Sequence, residues 1–260
     1  MSPVSLQFRK YCRLLSRLAP VLLALCYSIP GVAGEARVAV AANFTGAMQA
    51  INAAFEQASG HRLQISYGSS GKFYAQIRNG APYDVFLSAD SDKPAALVAD
   101  GDALEGSAYT YALGTLALWS SAAGAPLDRL KAGDYRRLAI ANPRLAPYGA
   151  AAMEVLEHLQ LLPSASDRVV TGESIAQAYQ FVASGNAQLG FIALSQLIEG
   201  GNPSAGSWVV PGELHSPIRQ VAVLLTRGAG NPAASDFLAF LRSDQARALI
   251  ESHGYRSAAE

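Results

Sequence analysis

From Arg37 to Gly101 the chain alternates short, nearly continuous apolar runs with stretches whose apolar residues recur at helical spacing. Arg37-Val38-Ala39-Val40-Ala41, Leu63-Gln64-Ile65-Ser66-Tyr67 and Asp84-Val85-Phe86-Leu87-Ser88 read as strands. The segments after them, marked by Met48, Ile51 and Phe55, by Lys72 to Arg78, and by residues 91 to 101, read as helices, the first closed by Gly60. A β-α-β-α-β-α order predicts a mostly parallel sheet with helices on both faces, and ligands of such sheets collect at the carboxyl ends of the strands. The same alternation continues downstream. Strands are expected at Leu113–Ser120, Leu138–Ala141, Arg168–Val170, Leu189–Ile192, Trp208–Val210 and Arg219–Thr226. Helices are expected at Leu127–Ala132, Ala150–Leu161, Ile175–Ser184, Leu194–Ile198, Pro232–Leu241 and Asp244–His253.

That is more strand than one compact sheet holds, so the fold class is α/β with two lobes. No linker separates them, and the chain is expected to cross twice, near Tyr111-Ala112 and near Pro217-Ile218. The expected organisation is 34–111 for the first part of lobe 1, 112–217 for lobe 2, and 218–260 for the return to lobe 1. Residues 1–33 are set aside as a secretory signal peptide. Arg9, Lys10, Arg13 and Arg17 form its basic start, Leu18 to Ile29 its apolar run, and Gly31-Val32-Ala33 its cleavage site. Pro20 and Pro30 interrupt a run too short for a permanent membrane helix. A lipid anchor at Cys26 is disfavoured by the bulky Leu25 before it.

Both cysteines, Cys12 and Cys26, lie in that segment, so the remaining chain has no disulfide, which suits a periplasm in which folding rests on core burial. Without the four basic residues of the leader, 16 Lys+Arg face 20 Asp+Glu, a net charge of −4, which argues against nucleic acid as a partner. His61, His158, His215 and His253 are scattered with no metal-ligand spacing, and Asp84, Asp90 and Asp92 are read as strand-start or helix-capping carboxylates.

Gly68-Ser69-Ser70-Gly71 stands between a strand and a helix, where backbone N–H groups have no intrahelical partner and the helix dipole is positive. Its ordinary reading is an N-cap loop; its functional reading is a seat for an anion. Asn43 is placed as an N-cap at the preceding strand-to-helix turn, so two helix starts converge on one crevice. Tyr148, in the long turn Asn142-Pro143-Arg144-Leu145-Ala146-Pro147-Tyr148-Gly149, is either an aromatic lid on the core or a hydroxyl donor. A serine hydrolase using Ser69 or Ser70 fits poorly, because the motif lacks the spacing of a nucleophile elbow and His215 is the only histidine near a lobe crossing. A nucleotide loop fits worse, with Phe73 where a magnesium-binding hydroxyl is needed.

Five segments carry a family resemblance: Val40-Ala41-Ala42-Asn43-Phe44-Thr45; Tyr67 to Gly71; Gln76-Ile77-Arg78-Asn79-Gly80-Ala81-Pro82-Tyr83-Asp84-Val85-Phe86-Leu87-Ser88-Ala89-Asp90; Asn142-Pro143 with Ala146 to Gly149; and Leu189-Gly190-Phe191-Ile192. Over residues 36–256 the chain resembles the periplasmic molybdate-binding receptors of ABC importers, type II periplasmic binding proteins. The resemblance implies a monomeric, non-enzymatic receptor without cofactor that captures molybdate or tungstate and delivers it to a membrane permease. Carried onto this sequence, it implies ligand contacts from Asn43, Ser70, Tyr148 and the backbone of Ile175, with Ala42, Ser69, Gly149 and Ser174 as secondary candidates. Receptors for sulfate or phosphate are the alternative. Many relatives have serine at the position of Asn43 and a tyrosine where this chain has Ala193.

Overall fold

The structure is a computed structural model describing residues 33–122, 124–199, 202–204 and 206–257; residues 1–32 of the expected signal peptide, with Cys12 and Cys26, lie outside the described residues. From Gly34 onward the described residues form one compact unit. Its strands are β1 Glu35–Ala41, β2 Arg62–Gly68, β3 Val85–Ser88, β4 Tyr109–Gly114, β5 Leu116–Trp119, β6 Leu138–Ala141, β7 Val169–Gly172, β8 Leu189–Ala193, β9 Ile198–Glu199, β10 Asn202–Pro203, β11 Ser207–Val209 and β12 Ile218–Leu224. Its α-helices are α1 Thr45–Ser59, α2 Ser70–Arg78, α3 Asp92–Ala99, α4 Pro126–Ala132, α5 Pro147–His158, α6 Leu162–Ala165, α7 Ile175–Ala183, α8 Pro232–Leu241 and α9 Asp244–Ser252.

Two five-stranded sheets result, ordered β2-β1-β3-β12-β4 and β11-β5-β8-β6-β7, with β9 and β10 as a separate antiparallel pair. In each sheet the pairings leave one strand running against the other four. That strand is β12 in the first sheet and β5 in the second, and each is the strand with which the chain enters its sheet at a crossing. The apolar run Leu113–Ser120, expected as one strand, is divided: Gly114 ends β4 in the first sheet and Leu116 opens β5 in the second. Composition cannot mark that break, because residues on both sides of Thr115 are buried in different lobes. The chain returns to the first sheet between Val209 and Ile218.

Side-chain alternation along the strands explains the layers. Val38 and Val40 of β1 join Leu87 of β3 in a core with Met48, Ile51 and Phe55 of α1, Phe237 and Leu241 of α8, and Ile250 of α9. Ala39 and Phe86 face the opposite side, against Phe73 and Ile77 of α2 and Leu97 of α3. The C-terminal helices thus complete the first lobe. In the second lobe, Leu116, Leu118, Leu138, Ile140, Leu189 and Phe191 pack with α5 and α7. These strands are buried on both faces and read as unbroken apolar runs for that reason. Among the described residues no helix is long and apolar enough to cross a membrane.

Candidate functional site

The carboxyl ends of the parallel strands in both sheets open onto one small cavity. Its volume is about 200 Å³, including the part open to solvent. This is room for a compact ion and too little for an organic substrate. Four helix beginnings supply most of its wall. Ala42 and Asn43 open a 3₁₀ turn after β1, Ser70 opens α2 after β2, Pro147 and Tyr148 open α5 after the β6 loop, and Ile175 opens α7 after β7. Amides at such positions have no carbonyl four residues behind them, and the dipoles of the longer helices place positive potential there. No charged side chain lines the cavity. Among the described residues no group of His, Cys, Asp or Glu could hold a metal ion.

Asn43, Ser70, Tyr148 and Ile175 are therefore brought to one place, although their side chains are used differently. Asn43 Nδ2 donates to Gln220 Oε1 at 2.8 Å and to Tyr255 Oη at 2.9 Å, so its amide protons are committed away from the cavity. Its expected N-cap bond is also absent: Phe44 occupies the cap of α1, with no side-chain cap. Tyr255 Oη in turn donates to Asn43 O at 2.7 Å, and Ser195 Oγ to the same carbonyl at 2.8 Å. This network fixes the first helix start from behind.

Ser70 is held in a similar way. Its Oγ accepts the Ala89 N–H at 2.9 Å, which leaves the hydroxyl proton free to donate. Ser69 stands at the cap of α2 without making the usual side-chain bond. Among the described residues four buried side-chain atoms lack a partner, and two of them, Ser69 Oγ and Tyr148 Oη, belong to residues of this cavity. Buried polar atoms are nearly always paired, so the two orphans in the cavity residues are left available to a ligand. Burial, then the neighbouring Tyr255 and Tyr111, hold the Tyr148 hydroxyl well above the usual tyrosine value. Asn43 lies near enough to offset part of this without meeting hydrogen-bond geometry. Tyr148 is consequently a neutral donor at any physiological pH.

Ala42 and Ser69 line the cavity, whereas Gly149 and Ser174 do not. The Gly149 N–H is spent on Ala146 O at 2.9 Å, and a Cβ there would lie 2.2 Å from Ala141 O, so this glycine serves close packing of α5 on β6. Ser174 caps α7, its Oγ accepting the Gln177 N–H at 3.4 Å. Ala193 is fully buried at the end of β8 and lies outside the cavity wall. His215 Nδ1 lies 2.7 Å from Ser216 O and the residue does not reach the cavity. Gln220, Tyr255 and Ser195 are the supporting residues that sequence reasoning missed. Gln220 carried a signal, a polar side chain at the head of the apolar run Val221 to Leu225, and it is completely buried.

Residues 36–256 match the family described as bacterial extracellular solute-binding protein. The chain belongs to this family. As such a solute-binding protein it is a receptor and not an enzyme. It is 48% identical over 245 residues to the molybdate-binding protein ModA of Azotobacter vinelandii, covering 93% of this chain and 97% of that one. It is 46% identical over 236 residues to the molybdate-binding protein ModA of Rhodobacter capsulatus, covering 90% and 92%. Among solved structures, the periplasmic molybdate-binding protein of Azotobacter vinelandii superposes with a TM-score of 0.83 at 40% identity, covering 86% of this chain and all of that one. The two-lobed receptor fold is thus shared across the whole solute-binding region.

Proposed function

We propose that this solute-binding protein captures molybdate, or the near-isosteric tungstate, in the cavity between its lobes and presents it to the membrane permease of an ABC importer. One observation carries the reading: four helix starts surround a space for a compact ion with hydroxyl and amide donors and no charged group. A fully deprotonated tetrahedral dianion needs donors on every oxygen and no acceptor, because a buried charge is tolerated only when completely hydrogen-bonded. Ser70 Oγ, Tyr148 Oη and the main-chain N–H groups of Asn43 and Ile175 are the donors in this reading, with Ala42 and Ser69 beside them. A protonated phosphate would also ask for an acceptor, which this wall does not offer as a carboxylate. The names of the relatives in Azotobacter and Rhodobacter support the choice of anion.

The protein acts as a periplasmic monomer, exported by the segment 1–33, and its two lobes, one built on the sheet β2-β1-β3-β12-β4 and the other on β11-β5-β8-β6-β7, hinge about the two crossings, the first of them at Thr115 and not at the expected Tyr111-Ala112. A thermal melt against a ligand panel tests this reading. A ligand at a hundred times its Kd adds about 2.7 kcal/mol, which for a chain of this size raises the melting temperature by roughly 5–10 °C. Millimolar molybdate and tungstate are expected to give that shift, and sulfate and phosphate little or none. A shift with sulfate or phosphate alone would replace the proposed ligand.

A further inference from the structure

Gly71, the second residue of α2, lies outside the cavity wall, yet its main chain bonds directly to the other lobe. Its N–H donates to Leu145 O, in the loop before α5, at 2.8 Å. A Cβ on Gly71 would sit 2.9 Å from Leu145 Cα and 3.0 Å from Leu145 O, both backbone atoms that no rotamer change can move away. Its φ is not among the positive values of the chain, so the backbone conformation of Gly71 does not call for glycine. Glycine also weakens a helix by about 0.5–1 kcal/mol relative to alanine. What remains to explain the residue is the approach of the other lobe.

The next residue repeats the span. Lys72 Nζ lies 3.1 Å from Glu173 Oε2, which precedes α7, although both side chains are more than half exposed. Gly71–Leu145 and Lys72–Glu173 thus join the start of α2 to the loops that deliver Tyr148 and Ile175, the two cavity residues of the opposite lobe that carry donors. The contact made by Ser195 with Asn43 belongs to another part of the molecule. Ser195 follows β8, where the Leu194 N–H bonds to Thr115 O at the crossing itself, so that contact sits on the hinge side.

We propose that Gly71 is a positioning residue that sets the depth of closure: its main-chain bond to Leu145 forms when the lobes shut, and its missing Cβ is what lets Tyr148 and Ile175 reach the anion held at Ser70. This rests on the oxyanion reading of the cavity. Closure-dependent contacts act on release more than on capture, so the rates separate this role from a general loss of structure. The solvent-exposed Lys72–Glu173 pair should contribute little, as such pairs do.

The test compares the full chain with Gly71→Ala and Glu173→Gln, using molybdate as the probe. It measures association and dissociation rates by stopped flow, the ligand-free melt, and small-angle scattering with and without ligand. For Gly71→Ala the expected result is a ligand-free melt like that of the parent, an unchanged association rate, dissociation faster by about tenfold or more, and incomplete compaction on binding. Glu173→Gln should change dissociation by less than about threefold. Dissociation and compaction of Gly71→Ala equal to the parent's would overturn the proposal. So would a ligand-free melt far below the parent's, which would make Gly71 a requirement of the lobe itself, or a Glu173→Gln effect exceeding that of Gly71→Ala. A parent that neither compacts nor melts higher with molybdate would instead reject the ligand reading, and the clasp with it.

Discussion

In the first lobe the cavity wall is braced from behind. Asn43 is tied to Gln220 and Tyr255, and the Ser70 hydroxyl is aimed by the Ala89 N–H. In the second lobe Tyr148 and Ile175 line the same space; the buried Tyr148 hydroxyl has no partner, and Ile175 opens its helix. The sheets behind both walls follow the same plan, with three adjacent parallel strands and one strand running against them. The difference therefore lies in the loops. The braced wall is organised before the ligand arrives, and the other completes its hydrogen bonds when the lobes close on the anion.

The sharpest way to break this contrast is to put a charge into the braced wall. Ser70→Asp can still accept the Ala89 N–H and so should fold, but its carboxylate would face the dianion in a buried space. Molybdate affinity measured by calorimetry should fall by more than about a thousandfold, with the ligand-free melt nearly unchanged. Retained affinity would show that Ser70 is not part of the grip.

A pair of tyrosine variants then separates the two walls. Tyr148→Phe removes a donor to a charged ligand, a loss of about 1.5–3 kcal/mol or roughly 10- to 150-fold in Kd. Because that hydroxyl has no protein partner, the ligand-free melt should hold or rise. Tyr255→Phe should do the reverse. It strips the Asn43 carbonyl and amide of a buried partner and should cost about 1–3 kcal/mol of stability by denaturant titration, with a smaller change in affinity. Equal signatures from both variants would erase the distinction between braced and open walls.

Alkaline titration gives a further effect. Burial is the largest cause raising Tyr111, Tyr148 and Tyr255 above the usual tyrosine value. A raised folded value means that the stability is fully present below the unfolded value near 10 and is lost as pH climbs toward the folded values. The melting temperature should stay flat from about pH 7 to 9 and drop above about 10, less so in Tyr148→Phe. Ser174→Ala should be the mildest change. It loses one long capping bond, about 0.5 kcal/mol in the melt, and leaves Kd within about twofold.

Most of the fold was legible in the sequence because buried parallel strands and one-sided helices leave unambiguous periodicities, as at β1 and α1. The break at Thr115 was not, since leucine and alanine on either side serve equally well in either sheet. At the site, sequence placed Asn43 at the right turn and misjudged its side chain, whose partners Gln220 and Tyr255 stand 177 and 212 residues away. Pairings of that separation leave no local trace. Gly71 was visible only as part of a glycine-serine turn; its contact with Leu145 exists only once both lobes are built.

Crystals grown with molybdate and measured at the molybdenum edge test the central claim most directly, because the anomalous peak locates the metal centre without reference to the protein. The account predicts one peak among Asn43, Ser70, Tyr148 and Ile175, each oxygen within about 3.2 Å of an N–H or O–H donor and no lysine, arginine or cation beside it. A peak elsewhere, or one neutralised by a basic side chain, would contradict it.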